Sequence, residues 1–153
     1  MNHNMKFNKL KNMKRFLLIF ALLLGAVCSW GQTVADQEKV LQKCLGIDQI
    51  AMHYDLDVAG IPRSLFAINN SAELGQGLQV NYCGRLLAFI NQETLQQTKP
   101  DAYFTINDLV IPGNSAEVNL IYRYNCNKQM QQITLRVLLQ KSNEQWIITE
   151  INK

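Results

Sequence analysis

Apolar and polar residues alternate strictly through the last third of the chain. Ala116, Val118, Leu120, Tyr122, Tyr124 and Cys126 fall on one side of an extended segment, opposite Glu117, Asn119, Arg123 and Asn125. The next run repeats the pattern, with Ile133, Leu135, Val137 and Leu139 against Gln132, Thr134, Arg136 and Gln140. Successive side chains of a strand point to opposite faces, so both runs read as strands with one buried face. Residues 103–111 and 145–151 are strand-like too. The turns between the four are Pro112-Gly113-Asn114, residues 125–129, and Lys141-Ser142-Asn143-Glu144. Strands joined this closely form an antiparallel meander.

The period changes near residue 33. Val34, Leu41, Cys44 and Leu45, with Val40 beside them, make one apolar stripe at helical spacing. Thr33 can cap this segment, Asp36 suits its positive end, and Gly46 stops it. An amphipathic helix of about three turns follows. The middle is less regular. Residues 64–68 form a short strand closed by Asn69-Asn70-Ser71, and Gly75 and Gly77 loosen the chain before the apolar runs 78–82 and 86–90. Asn91 can cap a short helix over 92–98, which Pro100 ends. The fold class is therefore α+β: an N-terminal helix packed on a curved antiparallel sheet, finishing in a four-strand meander.

The front of the chain has a third pattern. Lys11 to Arg15 is basic, and Phe16 to Val27 is an unbroken apolar run. Twelve residues make roughly 18 Å of helix, short of the ~30 Å hydrocarbon core. A basic start, a short apolar centre and small residues at Ser29 and Gly31 describe a secretory signal peptide over residues 1–31, cut before Gln32. Residues 32–153 are then a single domain, periplasmic or secreted. A second reading uses Cys28 as a lipid-bearing residue, which would tether the protein to a membrane.

An N-terminal helix, a less regular middle, and a closing turn and strand Glu144-Gln145-Trp146-Ile147-Ile148-Thr149-Glu150-Ile151 together resemble small exported Gram-negative bacterial proteins of the nuclear-transport-factor-2-like or cystatin-like superfold. The resemblance covers residues 102–151. It implies that the closing strand packs its Trp against the helix layer. Relatives of the ketosteroid-isomerase kind line a cone with Asp and Tyr that move a proton beside a carbonyl. Asp101, Tyr103, Asp108, Tyr122 and Tyr124 are the residues such a role would recruit.

Charge changes the picture once the leader is set aside. The whole chain of 153 residues carries +3, yet five of its fifteen basic residues precede residue 16 and no acidic residue precedes Asp36. Residues 32–153 hold 10 Lys and Arg against 12 Asp and Glu, a net of −2. Nucleic-acid binding needs a basic face on the folded domain, so the basic excess does not argue for it. The same residues hold 14 Gln and 11 Asn, which can solvate an open sheet face with little charge. The face bearing Gln132, Thr134, Arg136 and Gln140 beside Asn119, Arg123 and Asn125 suits an unidentified protein or polysaccharide, or is plain surface.

Chemistry is restricted. One histidine, His53, follows the leader, so sites built from several histidines are excluded. There is no Cys-x-x-Cys, no phosphate loop and no Gly-x-Ser-x-Gly elbow. Gly75-Gln76-Gly77-Leu78-Gln79-Val80 begins like a dinucleotide loop but has Val80 where the third glycine belongs. No cofactor is implied. His53, Asp55 and Asp57 would share one face of an extended segment and are the candidate metal ligands. Asp55-x-Asp57-x-x-Gly60 also approaches a calcium loop, but Ala59 and Phe66 stand where oxygen ligands belong. The bland alternative is a solvated edge leading into a turn. Of Cys44, Cys83 and Cys126, Cys44 falls on the helix's apolar side, where a thiol acts as a small hydrophobe, and Cys83 and Cys126 lie in strand-like contexts, which makes them the expected pair if a disulfide exists. The reading is an exported, non-catalytic binding or interaction module. The competing readings are a small-pocket isomerase-like enzyme and an envelope lipoprotein anchored through Cys28.

Overall fold

The apolar stripe of the first helix, α1 (34–45), turns inward: Val40, Leu41, Cys44 and Leu45 are all buried, and Gly46 follows as a turn. The structure, a computed structural model, describes residues 34–153. The expected signal peptide, the Thr33 cap and Cys28 lie outside the described residues. Past Gly46, one further helical turn, α2 (Asp48–Ala51), buries Ile50. Among the described residues no helix is long and apolar enough to cross a membrane.

Eight strands follow: β1 (Phe66–Asn69), β2 (Asn81–Tyr82), β3 (Arg85–Leu86), β4 (Ala88–Phe89), β5 (Ala102–Val110), β6 (Ser115–Cys126), β7 (Gln129–Ser142) and β8 (Gln145–Asn152). Six form one sheet in the order β4-β1-β5-β6-β7-β8, and β2 and β3 form a separate hairpin. The expected four-strand meander is β5 to β8, antiparallel throughout. The α+β class and the mostly antiparallel sheet are as expected, and only the other end of the sheet departs from antiparallel pairing. There β1 lies parallel to both β4 and β5. A parallel pairing needs a crossover of a dozen or more residues, and the long connection 70–101 supplies it.

Between β4 and β5 lies α3 (Gln92–Thr98), at the position its cap and stop predict. Asn91 Oδ1 accepts the Thr94 N–H at 2.7 Å, and Lys99 closes the helix in the left-handed conformation before Pro100. The inner face of the meander carries Phe104, Ile106, Leu109, Val118, Leu120, Tyr122, Leu135, Val137, Leu139 and Trp146, all buried. Registers slip between Ile106 and Asp108 and between Leu138 and Leu139, which leaves Asn107 and Thr149 unpaired as bulges. A bulge bends its strand and increases the local twist.

Three polar side chains near the start of α1 join it to the rest. Gln37 donates to the Glu73 carbonyl at 2.7 Å and accepts the Gly75 N–H at 2.9 Å, and Glu38 accepts the Gln79 N–H. The glycine-rich stretch is thus a loop held to a helix. It does not form the strand–turn–helix of a dinucleotide site. Asp36, also buried, accepts Lys141 Nζ at 3.0 Å and Trp146 Nε1 at 3.0 Å. The closing Trp therefore meets the helix layer, as the resemblance implies, with a carboxylate as its partner.

Candidate functional site

The meander's inner face carries an aromatic cluster. Phe104 and Tyr122 stand opposite each other on β5 and β6, with ring centroids 4.7 Å apart. Tyr54 meets Tyr82, Phe104 and Tyr122 edge-on, and Tyr122 stacks on Tyr124. The Tyr54 hydroxyl donates to the Leu45 carbonyl at 2.7 Å, and the Tyr122 hydroxyl reaches the His53 carbonyl at 3.4 Å. Burial pushes both phenols above their ordinary range, so they stay protonated. These groups fill space and hold backbone. They form a core, with none of the donor-and-acceptor arrangement of a proton-transfer site.

The five residues an isomerase-like site would recruit are divided between environments. Tyr122 and Tyr124 belong to the inner cluster. Asp101 lies exposed in the loop before β5, where its carboxylate meets the Asn125 amide at 3.3 Å. Tyr103 and Asp108 pair with Arg123 and Asn119, both outer-face residues of β6. The alternation of β5 reverses sides across the Asn107 bulge, which is why sequence spacing did not show where Asp108 falls.

The candidate metal ligands also separate. The His53 ring stacks on Tyr124 at 4.1 Å. Asp55 is exposed and pairs with Arg63 at 3.3 Å. Asp57 Oδ1 accepts the N–H groups of Ala59 at 2.9 Å and Ile61 at 3.0 Å, closing a turn around Gly60. The Ile61 amide above all holds its carboxyl below the usual range. Among the described residues no three His, Cys, Asp or Glu side chains come together as a metal site. The segment is a turn: Leu56 bridges Pro62, so the alternation assumed for an extended strand does not hold.

Cys44, Cys83 and Cys126 are free thiols here, the first buried and the other two exposed. The expected Cys83–Cys126 bond is not formed. Each of the two lies at the end of its own hairpin, Cys83 after β2 with φ 50° and Cys126 at the last position of β6. Burial raises the Cys44 thiol to about 12.

Hollows among the described residues include the following three. One of about 540 Å³ lies against the 74–79 loop and β3–β4, with Leu74, Leu78, Leu86, Leu87 and Phe89 in its wall and no ionisable group. A second, about 470 Å³, opens beside Met52, His53 and Ile133. The third, about 340 Å³, lies on the outer face, where β5 and β6 meet α3. No Asp or Glu lines any of the three. Of these three, the outer hollow is the one that contains a guanidinium. Arg123 donates from Nη1 to Thr105 Oγ1 at 2.9 Å and lies 5.7 Å from the centroid of the Tyr103 ring. The sequence places Arg123 on a polar face and Tyr103 among the residues of an isomerase-like cone, but does not group Tyr103, Thr105, Asn70 and Gln92 with Arg123. The alternation of β5 put Tyr103 and Thr105 on one side, and that was the available signal.

No protein-family model matches the chain, and no curated protein does. Among solved structures it is similar to the crystal structure of an NTF-2 like protein of unknown function from Shewanella oneidensis MR-1. The two share 17% identity over 77% of this chain and 90% of that one, with a TM-score of 0.31. At that score the likeness decides nothing about the site.

Proposed function

We propose that this protein is an exported, non-catalytic binding module acting in the periplasm or outside the cell, with the outer face of β5–β7 as its working surface. The observation that carries this reading is the contrast between the two sides of the sheet. The inner side is occupied by a hydrogen-bonded aromatic cluster, whereas the outer side keeps a polar hollow walled by Arg123, Tyr103 and amide side chains. A small-pocket isomerase requires an inward carboxylate with a raised pKa. Asp36 is inward, but it is committed to Lys141 and Trp146. The ligand class is a polysaccharide or a protein surface, since amides and hydroxyls both donate and accept.

Isotope-labelled protein titrated with mixed oligosaccharides and peptides tests the reading. Amide shifts should map to residues 103–107, 119–125 and 132–136. Shifts centred on Tyr54, Phe104 and Tyr122 would mean that ligand enters the core, and the module reading would fall. Intact mass of the protein exported by its own host should lack residues 1–31. Recovery of the full-length chain would reject the leader, and a lipid-sized increment on Cys28 would replace the secreted form with a tethered one.

A further inference from the structure

We infer that the outer hollow recognises a carboxylate-bearing sugar residue of an acidic polysaccharide, with Arg123 as the group that binds the carboxylate. The inference rests on the binding-module reading and names the ligand class of that surface. Arg123 is half-buried, and its guanidinium makes one hydrogen bond among the described residues, to Thr105 Oγ1. It has no salt-bridge partner there, unlike Arg63, Arg136 and Lys141. Residues 1–33 contain no Asp or Glu that could supply one. A guanidinium has five N–H donors in a planar fork, so most of its capacity is unused. Thr105, whose Oγ1 accepts from Arg123, also lines the hollow.

Two further features narrow the ligand. The hollow presents one positive charge and no carboxylate, which matches a monoanion better than a doubly charged phosphate. Around the charge stand Asn70, Gln92, Tyr103 and Asn107; Asn70 Nδ2 donates to Asn107 Oδ1 at 3.5 Å, and the remaining donors and acceptors of these amides and the phenol can pair with vicinal hydroxyls. At about 340 Å³ the space sits at the small end of ligand sites, which run from about 300 to 1,000 Å³. That suits one or two sugar residues.

Calorimetric titration of the full domain with a glucuronate oligomer and with a neutral glucose oligomer of equal length tests this. The glucuronate oligomer should bind at least about tenfold more tightly, and added salt should weaken it. Arg123→Gln should weaken glucuronate binding about tenfold or more, whereas Arg123→Lys, which keeps the charge but loses the fork, should restore it in part. Asn107→Asp, an exposed change that places a negative charge in the wall, should weaken it without altering the melting curve. Arg136→Gln, on the same face but already paired with Glu117, should change it less than about twofold. Equal affinity for the neutral oligomer, tighter binding of a sulfated oligomer, no binding, or indifference to both Arg123→Gln and Asn107→Asp would overturn the inference. If shifts from neutral sugars or peptides still mapped to the outer face, the module reading would survive that result.

Discussion

The two faces of the meander are built from the same strands and differ in what holds them. On the inner face, Leu120 opposes Leu135 and Val118 opposes Val137, each buried to within 2% of full exclusion. On the outer face of the same pair, Glu117 and Arg136 form an exposed two-point ion pair at 2.7 and 2.9 Å. Burial of aliphatic surface contributes far more than an exposed ion pair, so stability resides inside and the outer face is free to vary. Function can therefore be carried outside at little cost to the fold.

The contrast can be broken most directly at Leu135. Leu135→Ala should destabilise the protein by about 2–5 kcal/mol in a denaturant melt. Next comes Asp36→Ala, which leaves the buried Trp146 N–H without its acceptor and Lys141 with only Glu144, 3.7 Å away, and should lower the denaturation midpoint by less than Leu135→Ala does. A cost near zero there would mean that water replaces the carboxylate without loss.

Alkaline pH should act through the inner face. Burial raises the Cys44, Tyr54 and Tyr122 pKa values, and the Asp36 hydrogen bond raises that of Lys141. In each case the folded state keeps a proton that the unfolded state loses. The stability so gained is complete below the unfolded pKa values and is lost as pH rises through the folded ones. Melting temperature should thus begin to fall above about pH 8.5, where an unfolded thiol ionises, and fall further past pH 10. A flat profile from pH 8 to 11 would contradict this.

Thiol labelling sharpens the contrast by position. Cys83 and Cys126 should be modified in the native protein, and Cys44 only after unfolding. Protection of Cys83 and Cys126 together, relieved by reductant, would restore the expected disulfide. The smallest effect belongs to Gln132→Ala, which should leave the denaturation midpoint within error of the parent. Parity between Gln132→Ala and Leu135→Ala would show that the faces had been assigned the wrong way round.

Where sequence and structure agree, the reason is local. The alternation on β6 and β7 and the Asn91 cap of α3 each depend on neighbours within a few residues, and each is present at the expected place. The parallel pairing of β1 was not legible, because nothing within Phe66–Asn69 specifies a partner more than thirty residues away. Nothing in the sequence around Asp36, Gln37 and Lys141 marks them as buried, because polar side chains on a helix or turn are usually solvated. Their burial depends on hydrogen bonds to partners that only the tertiary fold supplies. The outer hollow was half legible for a similar reason. Period two grouped Arg123 with its strand neighbours, but the approach of α3, which brings Gln92 and Leu95 to the same place, was not encoded nearby.

The bulge at Thr149 bears on how molecules of this kind coexist at high concentration. The sheet ends in β4, only two residues long, and in β8, whose ladder is broken between Ile148 and Glu150. An unbroken margin of exposed amides and carbonyls recruits strands from other chains, and short or interrupted margins resist this. Ile147 is exposed on β8, yet the four residues Gln145–Ile148 are fewer than the five or so of an average strand. Deleting Thr149 to straighten that border would lengthen it into a template for fibril growth.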